Sequence, residues 1–298
     1  MRIRPFQYHT ARSFAEALEE MDQYGPEIQP LAGGTDLVPN LKKKTMAPAF
    51  LLNLLDIPGL DFIREDGSVI RIGGLTKHAT LASDSLLIRR LPMLAEATGL
   101  IGSWQIRNLG TIGGNLCNAS PAADSAPPLL ALEARAVVAD MKGEREIPLP
   151  SFFTGPGETA LKANQLLKEV IIPKRARRFA GTYLKSMRKQ GVDLALVGVA
   201  FHGELDEGGD RLQRVAVAMG GVAPTPIRAA EAEAELTGLS YEKALKKIPL
   251  VAKAAVTVTQ PIDDIRASAE HRKAIVNVYV RRAARSVLEK LFTGDTPR

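Results

Sequence analysis

The chain has 298 residues, of which 45% are hydrophobic and 24% charged, and a net charge of +6 at pH 7. This composition is typical of a globular protein, and the length is sufficient for two domains. The single cysteine, Cys117, excludes an internal disulfide and a cysteine set for zinc or an iron–sulfur cluster, and the four histidines lack ligand spacing. We therefore expect no metal site on this chain.

The amino terminus has no apolar signal core, and no apolar run approaches transmembrane length. We therefore expect a cytoplasmic protein without membrane insertion. Positive charge is concentrated in residues 174–189, which include seven basic and no acidic residues. It is also concentrated around the final predicted helix, at Arg266, Arg272, Lys273, Arg281, Arg282, Arg285 and Lys290. Because only 5% of residues are aromatic, a solvated face or a partner-protein interface fits these positions better than nucleic-acid binding.

The first predicted elements form a compact lobe of helices and short strands. Ser13 and Glu16 have capping-box spacing, which predicts a helix over 14–24. Gly25-Pro26 ends that helix. The remaining elements of this lobe are a strand at 28–32, one or two helical turns at 36–44 and a strand at 49–53.

The next segment predicts a second lobe with a mainly antiparallel sheet and helices, α+β in class. Asp66-Gly67 is a favoured turn pair and predicts a hairpin over 62–73. The other predicted helices are at 76–83 and 86–99, broken near Asp84 and Pro92, and at 125–132. The other predicted strands are a pair at 136–140 and 145–149 and one at 168–172. The stretch 105–124 matches neither helical nor strand periodicity and is predicted to be a loop, with Thr111 and Ile112 briefly extending a strand.

A boundary is predicted near residues 173–178, and a smaller α+β domain follows it. Its predicted elements are strands at 182–188, 194–204 and 211–220, then helices at 228–236, 241–257 and 268–291. The expected organisation is therefore a two-lobed domain at 1–175, with lobes at about 1–58 and 59–175, and a carboxy-terminal domain at 176–298. The latter combines a three-stranded antiparallel sheet with three helices.

Two glycine pairs, Gly33-Gly34 and Gly113-Gly114, each follow apolar residues and precede polar ones. Adjacent glycines permit positive φ and leave backbone N–H groups uncovered, and successive N–H groups form a concavity that suits a phosphate. Neither pair matches the Gly-x-Gly-x-x-Gly fingerprint or a Walker A loop. The pairs therefore predict a phosphate-bearing ligand held in a non-Rossmann way, and ordinary turns are the alternative.

These residues resemble a known family, the flavin-binding medium subunits of molybdenum hydroxylases such as carbon monoxide dehydrogenase and xanthine dehydrogenase. The resemblance covers essentially the whole chain. Its most specific motifs are Ala-Gly-Gly-Thr-Asp-Leu at 32–37, Thr-Ile-Gly-Gly-Asn at 111–115 and Ala-Ser-Pro-Ala-Ala-Asp at 119–124. It implies a two-lobed FAD-binding domain of the vanillyl-alcohol oxidase type, followed by a carboxy-terminal domain of the carbon monoxide dehydrogenase flavoprotein type.

The resemblance also implies the cofactor-binding residues. Both glycine loops are expected to hold the FAD pyrophosphate, Asp124 to contact the adenosine side, and Leu167 and Ile101 to make apolar contacts. Lys185 matches a basic residue near the cofactor. The full implied set is Leu31, Ala32, Gly33, Gly34, Thr35, Asp36, Leu37, Ile101, Thr111, Ile112, Gly113, Gly114, Asn115, Asp124, Leu167 and Lys185.

Several of these residues also have plain structural interpretations. Asp124 is placed to cap the next helix, Leu167 fits the core side of a strand, and Lys185 fits a solvated basic face. Cys117 is predicted to be a buried apolar residue, and Trp104 to pack beneath the second loop. No side chain is predicted to be catalytic, since the flavin supplies the redox chemistry.

The implied function is electron transfer within a multi-subunit enzyme. Molybdopterin is expected on a large subunit and two 2Fe-2S clusters on a small one, and the FAD, held non-covalently, exchanges electrons with NAD, oxygen, a quinone or a protein. Two copies of each subunit are expected, forming a heterohexamer, and the basic carboxy-terminal surface is expected to help dock a partner subunit. The lone cysteine excludes the inserted 4Fe-4S loop that some members carry.

Two other functions remain open from the sequence. One is a free-standing flavin oxidase that acts directly on a small substrate, for which His78 and Cys117 are the conceivable covalent anchors. The other is a non-catalytic basic module that binds nucleic acid or an acidic protein, with steeply salt-dependent binding.

Overall fold

The amino-terminal lobe is built on a small parallel sheet, seen in a computed structural model that describes residues 3–175, 178–189 and 191–294. The strands are β1 (Gln7–Thr10), β2 (Ile28–Leu31) and β3 (Phe50–Asn53), and β3 lies between the other two. Helices α1 (Phe14–Tyr24) and α2 (Leu37–Lys43) complete the lobe. The sequence predicted every one of these elements except β1.

Helix α1 begins and ends where the residue pattern predicts. The Ser13 hydroxyl accepts a hydrogen bond from the Glu16 N–H at 3.1 Å. The Glu16 carboxylate accepts from the N–H of Arg12, at 2.7 Å, one residue before the N-terminal cap. Gly25 then adopts a φ of 51°, which favours glycine and ends the helix. The predicted capping signal is confirmed, with the return bond displaced by one residue.

The second lobe contains an antiparallel sheet of five strands. These are β4 (Ile63–Asp66), β5 (Val69–Gly73), β6 (Arg135–Asp140), β7 (Gly143–Pro148) and, after a small ribbon of β8 (Phe153–Gly155) and β9 (Glu158–Thr159), β10 (Leu166–Pro173). The sheet order is β4-β5-β10-β6-β7. Its helices are α3 (His78–Ser83), α4 (Ser85–Arg90), α5 (Pro92–Gly99), α6 (Trp104–Leu109), α7 (Ile112–Cys117), α8 (Ala126–Ala131) and α9 (Leu149–Phe152). The predicted hairpins and the antiparallel character are confirmed.

The prediction of a loop over 105–124 was wrong, because α6 and α7 occupy much of it. The Ser103 hydroxyl caps α6 by accepting from the Ile106 N–H, and the Thr111 hydroxyl caps α7 by accepting from the Gly114 N–H. Thr111 makes only an isolated bridge with Lys77 instead of extending a strand. Each helix is too short for a periodic apolar pattern, so only the cap residues signalled it.

The carboxy-terminal segment forms a four-stranded antiparallel sheet and three helices. The strands β11 (Phe179–Ser186), β12 (Val197–Leu205), β13 (Leu212–Gly220) and β14 (Ile227–Arg228) pair in chain order. The helices are α10 (Ala230–Ala234), α11 (Tyr241–Thr257) and α12 (Ala269–Thr293). The sequence predicted three strands, and the two-residue β14 was missed because so short a strand has no alternation to detect.

Both faces of this sheet are buried. Tyr183, Ala200 and Ala216 join the apolar core of the second lobe on one face. Phe201 and Val217 belong to a separate core on the other face, together with residues of α11 and α12. The α+β class predicted for the chain is confirmed. Among the helices of the described residues, none combines the length and apolarity that a membrane crossing requires.

Candidate functional site

A cleft of about 990 Å³ lies where the two glycine pairs meet. Most of the residues predicted for the site line it: Ala32, Gly33, Gly34, Thr35, Asp36, Leu37, Ile101, Thr111, Gly113, Gly114, Asn115, Asp124 and Leu167. Three predicted residues do not. Leu31 ends β2 behind the first loop, Ile112 is fully buried in the core, and Lys185 lies behind Asp124.

The first loop, residues 31–37, offers free backbone donors. Gly34 has a φ of 67°, a backbone conformation that favours glycine. Among the described residues, the N–H groups of Gly33, Gly34, Thr35 and Asp36 donate no hydrogen bond. Four consecutive unengaged N–H groups beside a cleft are suited to anionic oxygens. This loop therefore matches the donor set that a phosphate-bearing ligand requires.

The glycines also allow backbones to touch. A Cβ on Gly33 would overlap the carbonyl group of Leu109, so this position brings the first loop against the end of α6. A Cβ on Gly113 would lie 2.6 Å from the carbonyl oxygen of Gly74. Because real Cβ atoms do not approach backbone so closely, both positions require glycine irrespective of any ligand.

The second loop, residues 111–115, differs from the expectation of uncovered N–H groups. Gly113 and Gly114 have no positive φ. The N–H groups of Ile112 and Gly113 donate to the carbonyls of Thr76 and Gly74, each at 2.9 Å. Those of Gly114 and Asn115 donate to the hydroxyl and carbonyl of Thr111 at 3.1 and 3.0 Å. The donors that this loop offers the cleft are therefore side-chain groups.

Two such side chains are placed to donate into the cleft. The Thr111 hydroxyl accepts from Gly114, and among the described residues its own proton has no acceptor. The Asn115 carbonyl oxygen accepts from the Ser125 hydroxyl at 2.6 Å, which fixes the amide plane and leaves its NH₂ group unengaged within the described chain. The first loop thus supplies backbone donors, and the second supplies side-chain donors.

Asp124 forms a buried polar cluster with two residues of β11. Its carboxylate accepts from the Tyr183 hydroxyl at 2.7 Å and from the Lys185 ammonium at 2.8 Å. Lys185 also donates to the carbonyl of Leu100 at 2.9 Å, and its side chain is 1% exposed. Burial raises the pKa of Asp124, and Lys185 and Tyr183 oppose that rise. Asp124 does not cap α8, and Lys185 does not lie on a solvated face, so both structural interpretations were wrong.

Leu167 and Ile101 give the cleft an apolar part of its lining. The register between β10 and β6 shifts between Leu167 and Glu169, a bulge that interrupts the alternation of side chains. Leu167 is half-buried, packs against the core of the second lobe and also lines the cleft. Ile101 is 9% exposed and lines the same cleft. These two residues can cover an aromatic ligand ring.

His78 and Cys117 also line the cleft, and neither was predicted to bind a non-covalent cofactor. Burial and the nearby Arg107 lower the pKa of His78 to about 4, so its imidazole is neutral at pH 7. Its Nδ1 is buried and has no hydrogen-bond partner among the described residues. Burial raises the pKa of Cys117 to about 12, as expected for an apolar thiol. No spacing in the sequence distinguishes His78 from the other histidines.

Trp104 is more exposed than the sequence predicted, and several of the basic residues are more buried. Trp104 is 73% exposed and stacks on Arg107, so it does not pack beneath the second loop. Within 174–189, Arg175 and Lys185 are buried in ion pairs. Arg177 lies outside the described residues. Arg272 of α12 is buried and donates to the carbonyls of Leu196 and Gly221.

Comparison with known proteins identifies two familiar domains. The family described as FAD binding domain in molybdopterin dehydrogenase matches residues 4–175, and the CO dehydrogenase flavoprotein C-terminal domain matches residues 182–287. The carbon monoxide dehydrogenase medium chain of Hydrogenophaga pseudoflava is 34% identical over 93% of this chain and 95% of its own. The xanthine dehydrogenase FAD-binding subunit of Escherichia coli O157:H7 is 32% identical over 92% of this chain and 93% of its own.

A solved structure agrees with these matches. Reconstituted CO dehydrogenase from Oligotropha carboxidovorans superposes with a TM-score of 0.90 at 32% identity, over 97% of this chain and 99% of that one. Fold and cleft thus define a two-domain flavoprotein. The chain belongs to the family of FAD-binding medium subunits of molybdenum hydroxylases, as its motifs predicted. Its relatives are subunits of oxidoreductases, which favours this function over a free-standing oxidase.

Proposed function

We propose that this chain holds FAD non-covalently in the cleft and passes electrons between the 2Fe-2S clusters of a small subunit and an external acceptor or donor. The observation that carries the proposal is the run of four N–H groups at residues 33–36 that have no acceptor in the described part of the chain and that line the same cleft as Thr111 and Asn115. When bound, FAD supplies redox chemistry that accepts two electrons together and releases them singly.

The proposed contacts divide by chemistry. The N–H groups of the first loop and the side chains of Thr111 and Asn115 bind the pyrophosphate, Asp124 binds the adenosine side, and Leu167 and Ile101 contact the flavin side. Lys185 holds Asp124 in place from behind. The proposed set stays as the motifs imply: Leu31, Ala32, Gly33, Gly34, Thr35, Asp36, Leu37, Ile101, Thr111, Ile112, Gly113, Gly114, Asn115, Asp124, Leu167 and Lys185.

Non-covalent attachment is supported by the two residues that offered a covalent alternative. A thiol needs thiolate character to react, and the pKa of Cys117 is raised to about 12. His78 is 2% exposed and neutral at pH 7, packed against the backbone of Gly110. Neither side chain is presented as a reactive nucleophile.

For the assembly, we propose one copy of this chain with one large molybdopterin subunit and one small 2Fe-2S subunit, the whole trimer occurring twice. The proposed domain division is a first domain at 1–175, with lobes at about 1–58 and 59–175, and a second domain at 176–298. The exposed arginines of α12, at 281, 282 and 285, are the proposed docking surface for a partner subunit. NAD, oxygen, a quinone or a protein is the proposed acceptor, and the cytoplasm the proposed location.

The absorption spectrum of the purified full chain, before and after denaturation, tests the proposal. We expect flavin bands that stay with the native protein and move to the supernatant after acid precipitation, because no covalent bond holds the cofactor. A yellow pellet with a colourless supernatant would indicate covalent flavin and support the free-standing oxidase. A colourless chain that also fails to take up added FAD would contradict the proposed function.

A further inference from the structure

The second glycine loop offers the cleft side-chain donors but no backbone donor from residue 112 to residue 115. Its backbone N–H groups from residue 112 to residue 115 are all engaged within the chain. A pyrophosphate lying between the two loops carries two negative charges and several acceptor oxygens. Donors on the side of the second loop must therefore come from side chains, and His78 is a lining residue that no motif assigns.

His78 lies at the junction of the two loops. Its N–H donates to the carbonyl of Gly110 at 3.0 Å, immediately before the second loop. The point that a Cβ of Gly110 would occupy is 3.3 Å from His78 Cδ2 and 3.4 Å from the hydroxyl of Thr35 in the first loop. The Cδ2 edge of the imidazole, which carries Nε2, therefore lies against Gly110, and the Thr35 hydroxyl approaches the same point from the first loop.

The burial of the ring fixes which nitrogen carries the proton. Nδ1 is buried and has no hydrogen-bond partner in the described part of the chain. An unpartnered buried N–H costs more than an unpartnered lone pair, because the donor loses a stronger hydrogen bond to water. The neutral imidazole therefore keeps its proton on Nε2, at the edge beside Gly110 and Thr35.

We propose that His78 is a cofactor-binding residue whose Nε2–H donates a hydrogen bond to a phosphate oxygen of the FAD pyrophosphate. This inference rests on the proposed function, since it needs FAD in the cleft. It assigns a side-chain donor in place of the N–H groups that the second loop uses internally.

Three variants of the flavin-free full chain distinguish the effect of the hydrogen-bond donor from the effect of the ring shape. His78→Phe keeps the shape of the ring and removes both nitrogens. His78→Gln places an N–H near Nε2, and His78→Asn places one near Nδ1. The readouts are the dissociation constants of FAD and of ADP. The constant for FAD is measured by quenching of FAD fluorescence. ADP serves as the second ligand because it carries the pyrophosphate without the flavin.

We expect His78→Phe to weaken both FAD and ADP by about 10- to 100-fold, the usual effect of losing a hydrogen bond to a charged acceptor. His78→Gln should recover most of that loss and His78→Asn should not. If His78→Phe does not fold, the comparison of Gln with Asn still decides, because the two variants carry the same amide group and place it at different distances from the backbone.

The other outcomes overturn the inference in distinguishable ways. Equal FAD binding by wild type and His78→Phe contradicts the role of His78 alone. Weaker FAD binding with unchanged ADP binding contradicts the assignment to the pyrophosphate. A wild-type chain that binds neither ligand overturns the proposed function together with this inference.

Discussion

At the scale of single residues, the wall of the cleft depends on charges that the fold keeps from water. Asp124 and Lys185 are both almost fully buried and lie 2.8 Å apart. Such a pair contributes little net stability, but removing one partner leaves an uncompensated buried charge and is strongly destabilising. The Tyr183 hydroxyl satisfies the remaining carboxylate oxygen. The cluster therefore fixes the geometry of Asp124 more than it stabilises the fold.

His78 predicts a specific pH dependence of stability. Its pKa of about 4 lies below the usual 6.5, so the unfolded chain takes up a proton first as pH falls. The contribution is fully present above pH 6.5 and is lost as pH falls towards 4. Between pH 7 and pH 5 the flavin-free chain should lose about 2 kcal/mol that the His78→Phe variant retains.

Urea unfolding of both proteins at the two pH values measures this difference. His202, whose pKa is also lowered by burial, is present in both proteins and cancels in the comparison. Equal losses of unfolding free energy in wild type and variant would contradict the prediction. They would show that His78 binds its proton as readily in the native state as in the unfolded state.

What the sequence predicts at this scale depends on the kind of residue. The glycine pairs were recognisable because few other residues suit turns or close backbone contacts. The partners of Asp124 were not, since Tyr183 and Lys185 lie about 60 positions away and only the folded sheet brings them together. The burial of the His78 nitrogen that lacks a partner among the described residues depends on neighbours from several elements and has no local signal.

At the scale of elements, the site exists because three short segments are packed backbone to backbone. The first loop lies against the end of α6, and α7 begins against Gly74, just after β5. Glycine at 33 and 113 removes the side chains that would hold these backbones apart. The cleft is therefore bounded by close main-chain contacts, which leave little freedom to rearrange.

Alanine at Gly33 or Gly113 should destabilise the flavin-free chain by about 1–3 kcal/mol, the usual cost of overpacking a tight contact. The matched control is Gly99→Ala at the end of α5, where a Cβ meets only the methyl of Ala82 at an ordinary 3.7 Å. Urea midpoints measure all three variants. Similar midpoints for Gly33→Ala and Gly99→Ala would show that the loop yields easily and that the glycine serves the ligand alone.

Element prediction succeeded where the pattern was long and failed where elements were short. Helix α1, the hairpin at Asp66-Gly67 and the long helices α11 and α12 were predicted within a few residues of their ends. α6 and α7 have six residues each, less than two turns, so their stability comes from caps and packing and not from a repeated apolar face.

At the scale of the whole molecule, the carboxy-terminal sheet is held between the second lobe and its own helices. This arrangement buries one face of α12 and leaves Arg281, Arg282 and Arg285 exposed to solvent. Arg266 and Arg272, predicted to share this surface, instead pair with Asp264. The basic surface available to a partner subunit is therefore smaller than the sequence suggests.

Reversing the charge at Arg281, Arg282 and Arg285 together should weaken co-purification of the partner subunits, because complementary charge guides docking. Reversal at Lys243, Lys246 and Lys253, exposed on α11, changes the net charge equally and serves as the control. The amount of each subunit retained on an affinity-tagged medium chain is the measurement. Equal retention by both triple variants would exclude the α12 surface as the docking site.

The cluster of Asp124 with Tyr183 and Lys185 also limits how this chain can be recombined. The first residue belongs to one matched domain and the other two to the next, yet they make one wall. A chimera joined near residue 178 must therefore take all three positions from compatible parents. The two matched regions are separate in the sequence, but this cluster couples them in the fold.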